Sequence, residues 1–273
     1  MKIGVIISTY NQPAWLEKVL RGYARQTLPG FEVLVADDGS GEATREVIER
    51  ARPWFGERLR HIWHADDGFR KCEILNKAIV AADSEYLVFT DGDCIPRADF
   101  METHLRNAEP GRFLSGGVVW LPRALSEALS AEDIGSGRYE QRTWLESHGW
   151  RGGRHRLRLV RSRAFARLLD AATPTRPTFN GHNASVWREA LYAVNGFDAE
   201  MGYGGLDRAL GERLYNLGLR GKQLRYRALV FHLDHDRPYR KPEVVQRNRE
   251  IRARIRNSGE TRARIGIAQL NQT

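Results

Sequence analysis

Cysteine is nearly missing from this sequence: Cys72 and Cys94 are the two present in 273 residues, and their spacing fits no zinc motif. No apolar run is long enough to cross a bilayer. The opening segment, Met1 to Ile7, runs straight into polar Ser8 and Thr9, so it reads as a first strand rather than a signal peptide. Without a secretion signal a disulfide is not expected, and the expected compartment is the cytoplasm. No Gly-x-Gly-x-x-Gly follows the first strand and no Walker loop occurs, which argues against a dinucleotide enzyme or a P-loop nucleotidase. No Ser-His-Asp or Cys-His arrangement suggests an enzyme nucleophile.

Acidic residues are also in deficit. Lys and Arg number 43 against 34 Asp and Glu, a net charge of +9. The excess is uneven: nine arginines lie between Arg138 and Arg167 with two acids, Glu140 and Glu146, and a second basic run extends from Arg237 to Arg264. Such runs are either solvated faces or contacts for an anionic partner, such as nucleic acid, a membrane surface or a charged substrate.

What is present is an ordinary globular composition, 41% hydrophobic and 28% charged. Strands are expected at Ile3–Ser8, Phe31–Ala36, Leu59–Trp63 and Glu85–Thr90, alternating with helices at Pro13–Gln26, Glu42–Ala51 (capped by Ser40) and Phe69–Ala82. That alternation predicts an α/β fold with a Rossmann-like, mostly parallel central sheet and flanking helices. The second half is less regular. A strand is expected at Phe113–Trp120, a helix at Pro122–Ala131, and a strand-to-helix passage from Phe179 through Trp187. A helix at Asp207–Asn216 and a strand at Lys222–His232 follow. One domain over 1–240 is expected: a regular α/β half at 1–120, a basic helical insertion at 121–177 and a more variable half at 178–240, to which the resemblance described below gives nucleotide-sugar binding and acceptor binding respectively. Residues 241–273 would form a basic helix or tail.

Ligands of such sheets sit beyond the carboxyl ends of the strands, where Thr9-Tyr10-Asn11, Asp37-Asp38, His64 to Arg70 and Asp91-Gly92-Asp93 all fall. In an extended segment Asp91 and Asp93 point the same way, and Gly92 leaves room for a close approach. A metal chelated there could neutralise a departing diphosphate. His232 and His235 follow the last apolar strand; imidazoles beside carboxylates suit Mn²⁺ better than Mg²⁺, although Mg²⁺ stays possible. His232 could equally be structural, and joint ligation needs a turn between the two.

Several segments resemble glycosyltransferase family 2, which has the GT-A fold of nucleotide-diphospho-sugar transferases. They are Val5 to Asn11, Val35 to Ser40, Gly68-Phe69-Arg70 with Ile74 to Ile79, and Phe89 to Pro96. Phe179 to Ser185, Val194 to Asp198 and Gly202 to Asp207 resemble the galactosyltransferase-type module of β-1,4-galactosyltransferases and bacterial chondroitin polymerases. The resemblance covers roughly 1–120 and 178–240, leaving out the basic insertion. It implies an inverting, metal-dependent transfer of a hexose or N-acetylhexosamine from a UDP-sugar to a carbohydrate or glycolipid acceptor, in bacterial surface polysaccharide or lipopolysaccharide synthesis. Thr9, Tyr10 and Asp38 match positions that hold uracil and ribose, and Arg70 a basic position near the nucleotide. Asn11, Asn76, Gly92, Tyr203, Gly204 and Gly205 fall in the matched donor-binding stretches. Asp91 would meet ribose or a metal-bound water, Asp93 and His235 (with His232) the metal, and Asp207 would be the general base.

Two departures alter the implied acceptor contacts: Leu206 stands where relatives carry an acid, and Tyr203 where they often carry Trp. Structural alternatives remain, with Asp207 capping the helix from Arg208 and Tyr203 packing the core. A retaining transferase or nucleotidyltransferase, a nucleic-acid-binding protein and an inactive sugar-binding homologue are the competing functions. Aromatics are too sparse between Arg138 and Arg167 to favour nucleic acid. The arginines suit an anionic acceptor or peripheral association with the inner membrane face.

Overall fold

The computed structural model describes residues 1–236 and 241–270; the start of the second basic run, 237–240, lies outside the described residues. The chain runs β1 (Ile3–Thr9), α1 (Pro13–Ala24), β2 (Glu32–Asp37), α2 (Glu42–Phe55), β3 (Leu59–Trp63), α3 (Lys71–Ala81), β4 (Tyr86–Asp91), β5 (Cys94–Pro96), α4 (Phe100–Asn107) and β6 (Arg112–Trp120). It continues through α5 (Arg123–Ala128), α6 (Ala131–Ser136), α7 (Arg142–Ser147), α8 (Arg163–Ala171), β7 (Ala184–Trp187), α9 (Arg188–Ala193), α10 (Leu206–Asn216), β8 (Arg220–His232) and α11 (Pro242–Ser258).

The eight strands form one sheet in the order β3-β2-β1-β4-β7-β6-β8-β5. The first four are mutually parallel, β7 is antiparallel to both neighbours, β6 and β8 run parallel, and β5 is antiparallel to β8. Every residue of β1 is buried, as expected of a parallel strand covered on both faces. Val5 and Ile7 face a core shared with α1 and α2, whereas Ile6 faces one shared with α3, α9 and α10.

Several boundaries differ from the sequence expectation. Ser40 does not cap α2: Gly41 holds the cap position, and the Ser40 hydroxyl accepts instead from the Asn11 backbone N–H at 2.8 Å. α2 runs past Ala51 through Pro53, because Phe55 is a core residue. The helix expected at Pro122–Ala131 ends at Ala128, and Ser130 with Asp133 forms a capping box that starts a separate helix, α6. The insertion is short helices and 3-10 turns rather than one helix. It is tied to the body by buried Tyr139, whose hydroxyl donates to the Pro96 carbonyl at 2.6 Å.

The C-terminal segment packs back on the body. Ile251 and Ile255 of α11 are buried, Arg252 pairs with Glu212 of α10 at 2.7 Å, and the Ala263 N–H donates to the Val194 carbonyl. Beneath it Arg213 and Asp198 form a fully buried ion pair at 2.5 Å.

A polar network crosses the middle of the sheet. His104 of α4 meets Ser185 of β7 at 2.8 Å and Asn183 at 3.1 Å, and Tyr86 of β4 meets Ser185 at 2.8 Å. Burial pushes the His104 imidazole down to about 4. Its folded value lies below its unfolded one, so the unfolded chain binds the proton first and stability falls as pH drops. The loss develops between about 6.5 and 4 and amounts to about 3 kcal/mol. Urea unfolding across this window should show it, and His104→Gln should flatten the slope whatever its cost at neutral pH. An unchanged slope would remove His104 as its source.

Candidate active site

The strand ends open into a cavity of about 670 Å³. Its walls come from the ends of β1, β2 and β4, the Gly68-Phe69 loop, Lys71 of α3, Trp120 of β6, His182, Tyr203, and His232 and His235 after β8. Thr9, Tyr10, Asn11, Asp38, Asp91, Gly92, Asp93 and Tyr203 thus meet in one place.

At the β1 end, Asn11 adopts φ 46°, and its carboxamide accepts from the Gly41 N–H at 3.0 Å. It thereby ties the β1 and β2 loops together. The Thr9 hydroxyl is buried in a wall of the cavity with no hydrogen-bond partner among the described residues. Tyr10 is 43% exposed and donates to Asp66 at 2.9 Å. Both Asp38 oxygens are engaged, by His64 at 2.8 Å and by the Arg70 N–H at 3.1 Å, and burial pushes this carboxyl up.

The Asp-Gly-Asp segment is not extended. A turn separates β4 from β5 at residues 92 and 93, and the two carboxylates have different partners. Asp91 accepts from Ser8 at 2.8 Å and Lys71 at 2.6 Å. Burial alone would raise Asp91, but the Lys71 ammonium outweighs it and holds the carboxyl below its usual range, while Asp91 raises Lys71 in turn. Gly92 packs against the Ser8 carbonyl and Thr9, so its missing Cβ serves the β1–β4 contact more than a ligand.

Asp93 faces the histidines. Its Oδ2 lies 2.7 Å from His235 Nε2 and 3.4 Å from His232 Nε2, and the two rings are parallel to within 2°. Burial would raise Asp93, yet the imidazoles hold it well below the carboxylate range. Cys94, whose spacing excluded it from metal motifs, donates its thiol to Asp93 at 3.1 Å, and burial keeps that thiol protonated.

His235 supplies the test of metal fit. Its Nδ1 lies 2.7 Å from the Asp236 carbonyl, which can only accept, so Nδ1 carries the proton. In the neutral ring Nε2 then points a lone pair at a carboxylate oxygen. Two acceptors so close repel unless a proton or a cation sits with them. One carboxylate and two imidazoles converging this way fit a divalent transition metal.

Four expected donor-site residues do not line the cavity. Asn76 is buried and clamps Phe197, donating to its carbonyl and accepting from its N–H, both at 2.8 Å. The Arg70 guanidinium turns toward Asp67, Glu73 and the Ala65 carbonyl; its backbone N–H serves Asp38. Gly204 and Gly205 take φ of 107° and 86° to turn the chain into α10, packed against Val245 and Arg252 of α11.

Asp207 also lies outside the cavity lining. It is the second residue of α10, whose cap is Gly205, so it does not cap the helix. Its Oδ2 accepts from the Gly181 N–H and its Oδ1 from the Arg208 N–H, both at 2.9 Å, so neither oxygen is unbonded. It is close enough for Lys71 and His182 to feel its charge.

Sequence reasoning gave no role to Lys71, His182 or Trp120. The imidazole of Trp120's neighbour His232 packs tilted against it, ring centroids 4.1 Å apart, and burial pushes His182 down. His182 stood inside a quoted motif and could have been singled out; Lys71 looked like an ordinary charge in a first helical turn.

A GT-A nucleotide-sugar transferase has this sheet with this cavity at its strand ends. The solved structure of S. aureus TarS residues 1–349 in complex with UDP-GlcNAc overlays all of this chain and 70% of that one, with a TM-score of 0.63 at 19% identity, which shows the shared fold. The family model described as "Glycosyl transferase family 2" matches residues 4–193, and the chain belongs to that family. It is 27% identical over 231 residues to validoxylamine A glucosyltransferase of Streptomyces hygroscopicus subsp. jinggangensis, covering 80% of this chain and 52% of that protein. It is 25% identical over 235 residues to chondroitin synthase of Escherichia coli, covering 79% of this chain and 32% of that protein. The chain therefore spans about half of the first relative and a third of the second.

The loop bearing Tyr203 is held from α11. Asn248, buried, donates to the carbonyls of Gly202, Tyr203 and Gly204 at 2.9, 3.2 and 2.9 Å. Asn248→Ala leaves those acceptors unsatisfied and should cost about 2–4 kcal/mol in urea unfolding. Amide exchange at residues 202–204 should speed up as well. A variant with native stability and native exchange would show that the loop holds itself.

Proposed function

We propose that this chain transfers a hexose or N-acetylhexosamine from a UDP-sugar to a carbohydrate acceptor, with inversion and with help from a divalent metal, Mn²⁺ foremost. The observation carrying this reading is the convergence of Asp93 with the Nε2 atoms of His232 and His235 on the cavity at the strand ends. Family membership and the fold shared with a UDP-GlcNAc complex support it.

The donor end is built for a planar base and a ribose. Thr9 offers a hydroxyl unpartnered among the described residues, Asp38 lies in the wall, and Phe69 meets Tyr203 edge to face at 6.0 Å near the Gly68 turn. Asp93, His232 and His235 would hold the metal, which when bound offsets negative charge on the diphosphate leaving group. Lys71 carries a further positive charge beside it, locked by Asp91. Inverting transfer then requires one base on the opposite side of the sugar. Asp207 takes that role: the Gly181 and Arg208 N–H groups orient its carboxylate, and each oxygen keeps a second lone pair for the acceptor hydroxyl.

A donor screen tests the substrate. UDP release should appear with at least one of UDP-Glc, UDP-Gal, UDP-GlcNAc and UDP-GalNAc, should stop in EDTA and should return with Mn²⁺ better than with Ca²⁺. Mn²⁺ should also raise the melting temperature of the wild type but not of Asp93→Ala. Full turnover in EDTA would end the metal assignment, and release from GDP-sugars alone would end the uridine one.

Asp207→Asn isolates the base. Asn preserves shape and keeps one of the two acceptor contacts through its carbonyl oxygen, the other N–H then facing its NH2, so the melting temperature is read alongside and UDP binding should persist. The kcat should fall by at least about a hundredfold. A variant with near-native kcat would take Asp207 out of the chemistry.

A further inference from the structure

Helix α8 is inverted relative to an ordinary surface helix. Its inner side buries Ala166 and Asp170, and Asp170 accepts from the Tyr226 N–H at 3.0 Å and pairs with Arg227 at 2.5 Å. Its outer side is apolar: Ala164, Phe165, Leu168, Ala171 and Ala172 are all exposed, Phe165 at 44% and Leu168 at 62%. At the helical period these positions fall within an arc of about 120°. Leu157, in the 3-10 turn at Gly153–Leu159 just upstream, is another half-exposed apolar side chain. A solvated helix would show charge on such a face. Arg161, Arg163 and Arg167 flank it, exposed and without an ion-pair partner among the described residues.

We propose that this face docks onto an anionic lipid bilayer. Apolar side chains bordered by guanidinium groups suit the boundary between acyl chains and headgroup phosphates, where each type meets its preferred surroundings. A second copy of this chain is a poor occupant, because the arginines of one copy would meet those of the other. A nucleic acid would leave Leu168 and Ala172 facing phosphate and sugar with nothing to stack on. The orientation is set by the protein body: Trp150 of the same insertion is buried and donates its indole N–H to the Trp120 carbonyl at 3.0 Å, in the cavity wall. Docking on α8 therefore places the cavity at a fixed attitude to the bilayer, independently of which sugar it transfers.

Vesicle sedimentation of the full chain, read without donor or acceptor, tests this separately from the transferase reading. Vesicles of phosphatidylcholine with phosphatidylglycerol should retain the protein, vesicles of phosphatidylcholine alone should not, and retention should decline with salt over the range where the Debye length shrinks below about 8 Å. The double substitution Phe165→Glu with Leu168→Glu should lower partitioning at least about tenfold with an unchanged melting temperature, since two buried apolar side chains are lost from the interface. Arg163→Glu with Arg167→Glu should lower it by a similar factor and remove most of the salt dependence. Should the first pair unfold the chain, Leu168→Ser alone carries the comparison, expected at a few-fold loss. No retention on anionic vesicles overturns the proposal. So does retention indifferent to both pairs, or a dimer in solution that Leu168→Ser splits while vesicle binding stays unchanged. Tight binding of duplex RNA lost on the same substitutions, with no vesicle binding, would replace the bilayer by a nucleic acid.

Discussion

The carboxamide of Asn183 holds the two parts of the sheet in register. β6 and β8 run parallel but slip at a bulge between Gly116 and Gly117, which leaves carbonyls without ladder partners. Asn183 donates to two of them, Gly117 at 2.8 Å and Ala228 at 3.0 Å, and its oxygen meets His104. Gly116 has no Cβ because that carboxamide occupies the space. Since buried carbonyls without donors are costly, this one side chain stabilises the bulge. The same strands beyond it end in Trp120 and His232, so that edge of the cavity inherits its position from a contact well below it.

The parallel half of the fold was legible because its signals are local. β3 matches its expected limits, β1 runs one residue longer, and β2 and β4 are each shifted by one residue, since each is an apolar run closed by a polar turn. Local signals failed where tertiary contacts compete with them. The Ser40 hydroxyl had a nearer partner in Asn11 than in its own helix. The charged stretch after Arg138 suggested a solvated helix because nine arginines dominate its composition. Its structure is decided instead by three separated core residues, Tyr139, Leu145 and Trp150.

The site was legible as a set of strand ends and much less so as a set of contacts. Motif position put Thr9, Asp38, Asp91 and Asp93 on one face correctly, because a parallel sheet aligns its carboxyl ends whatever the side chains do. Motif membership could not separate ligand-facing groups from those that hold the motif itself. Asn76 lies in a matched segment, yet both ends of its carboxamide are used on Phe197. Gly204 and Gly205 lie in a matched donor-binding stretch too, yet their positive φ values make the turn into α10. Lys71 was invisible because its significance depends on where α3 docks on the sheet, which brings its ammonium to Asp91.

Asp91 and Asp93 show how far a pair of identical residues can diverge over two positions. Asp91 is answered from within: Ser8 of β1 and Lys71 of α3 converge on one oxygen, so its charge fastens a helix to the sheet. The turn at residues 92 and 93 carries Asp93 away from that arrangement and toward the end of β8. There its partners are imidazoles, one of them fixed by the Asp236 carbonyl with a lone pair aimed inward. An ammonium already bonded to a carboxylate has little to yield to an incoming cation. Imidazoles beside a carboxylate offer ring nitrogens that can pass from sharing a proton to ligating a cation. The motif therefore divides its labour: the first carboxylate sets the local charge and geometry permanently, and the second is left dependent on what binds.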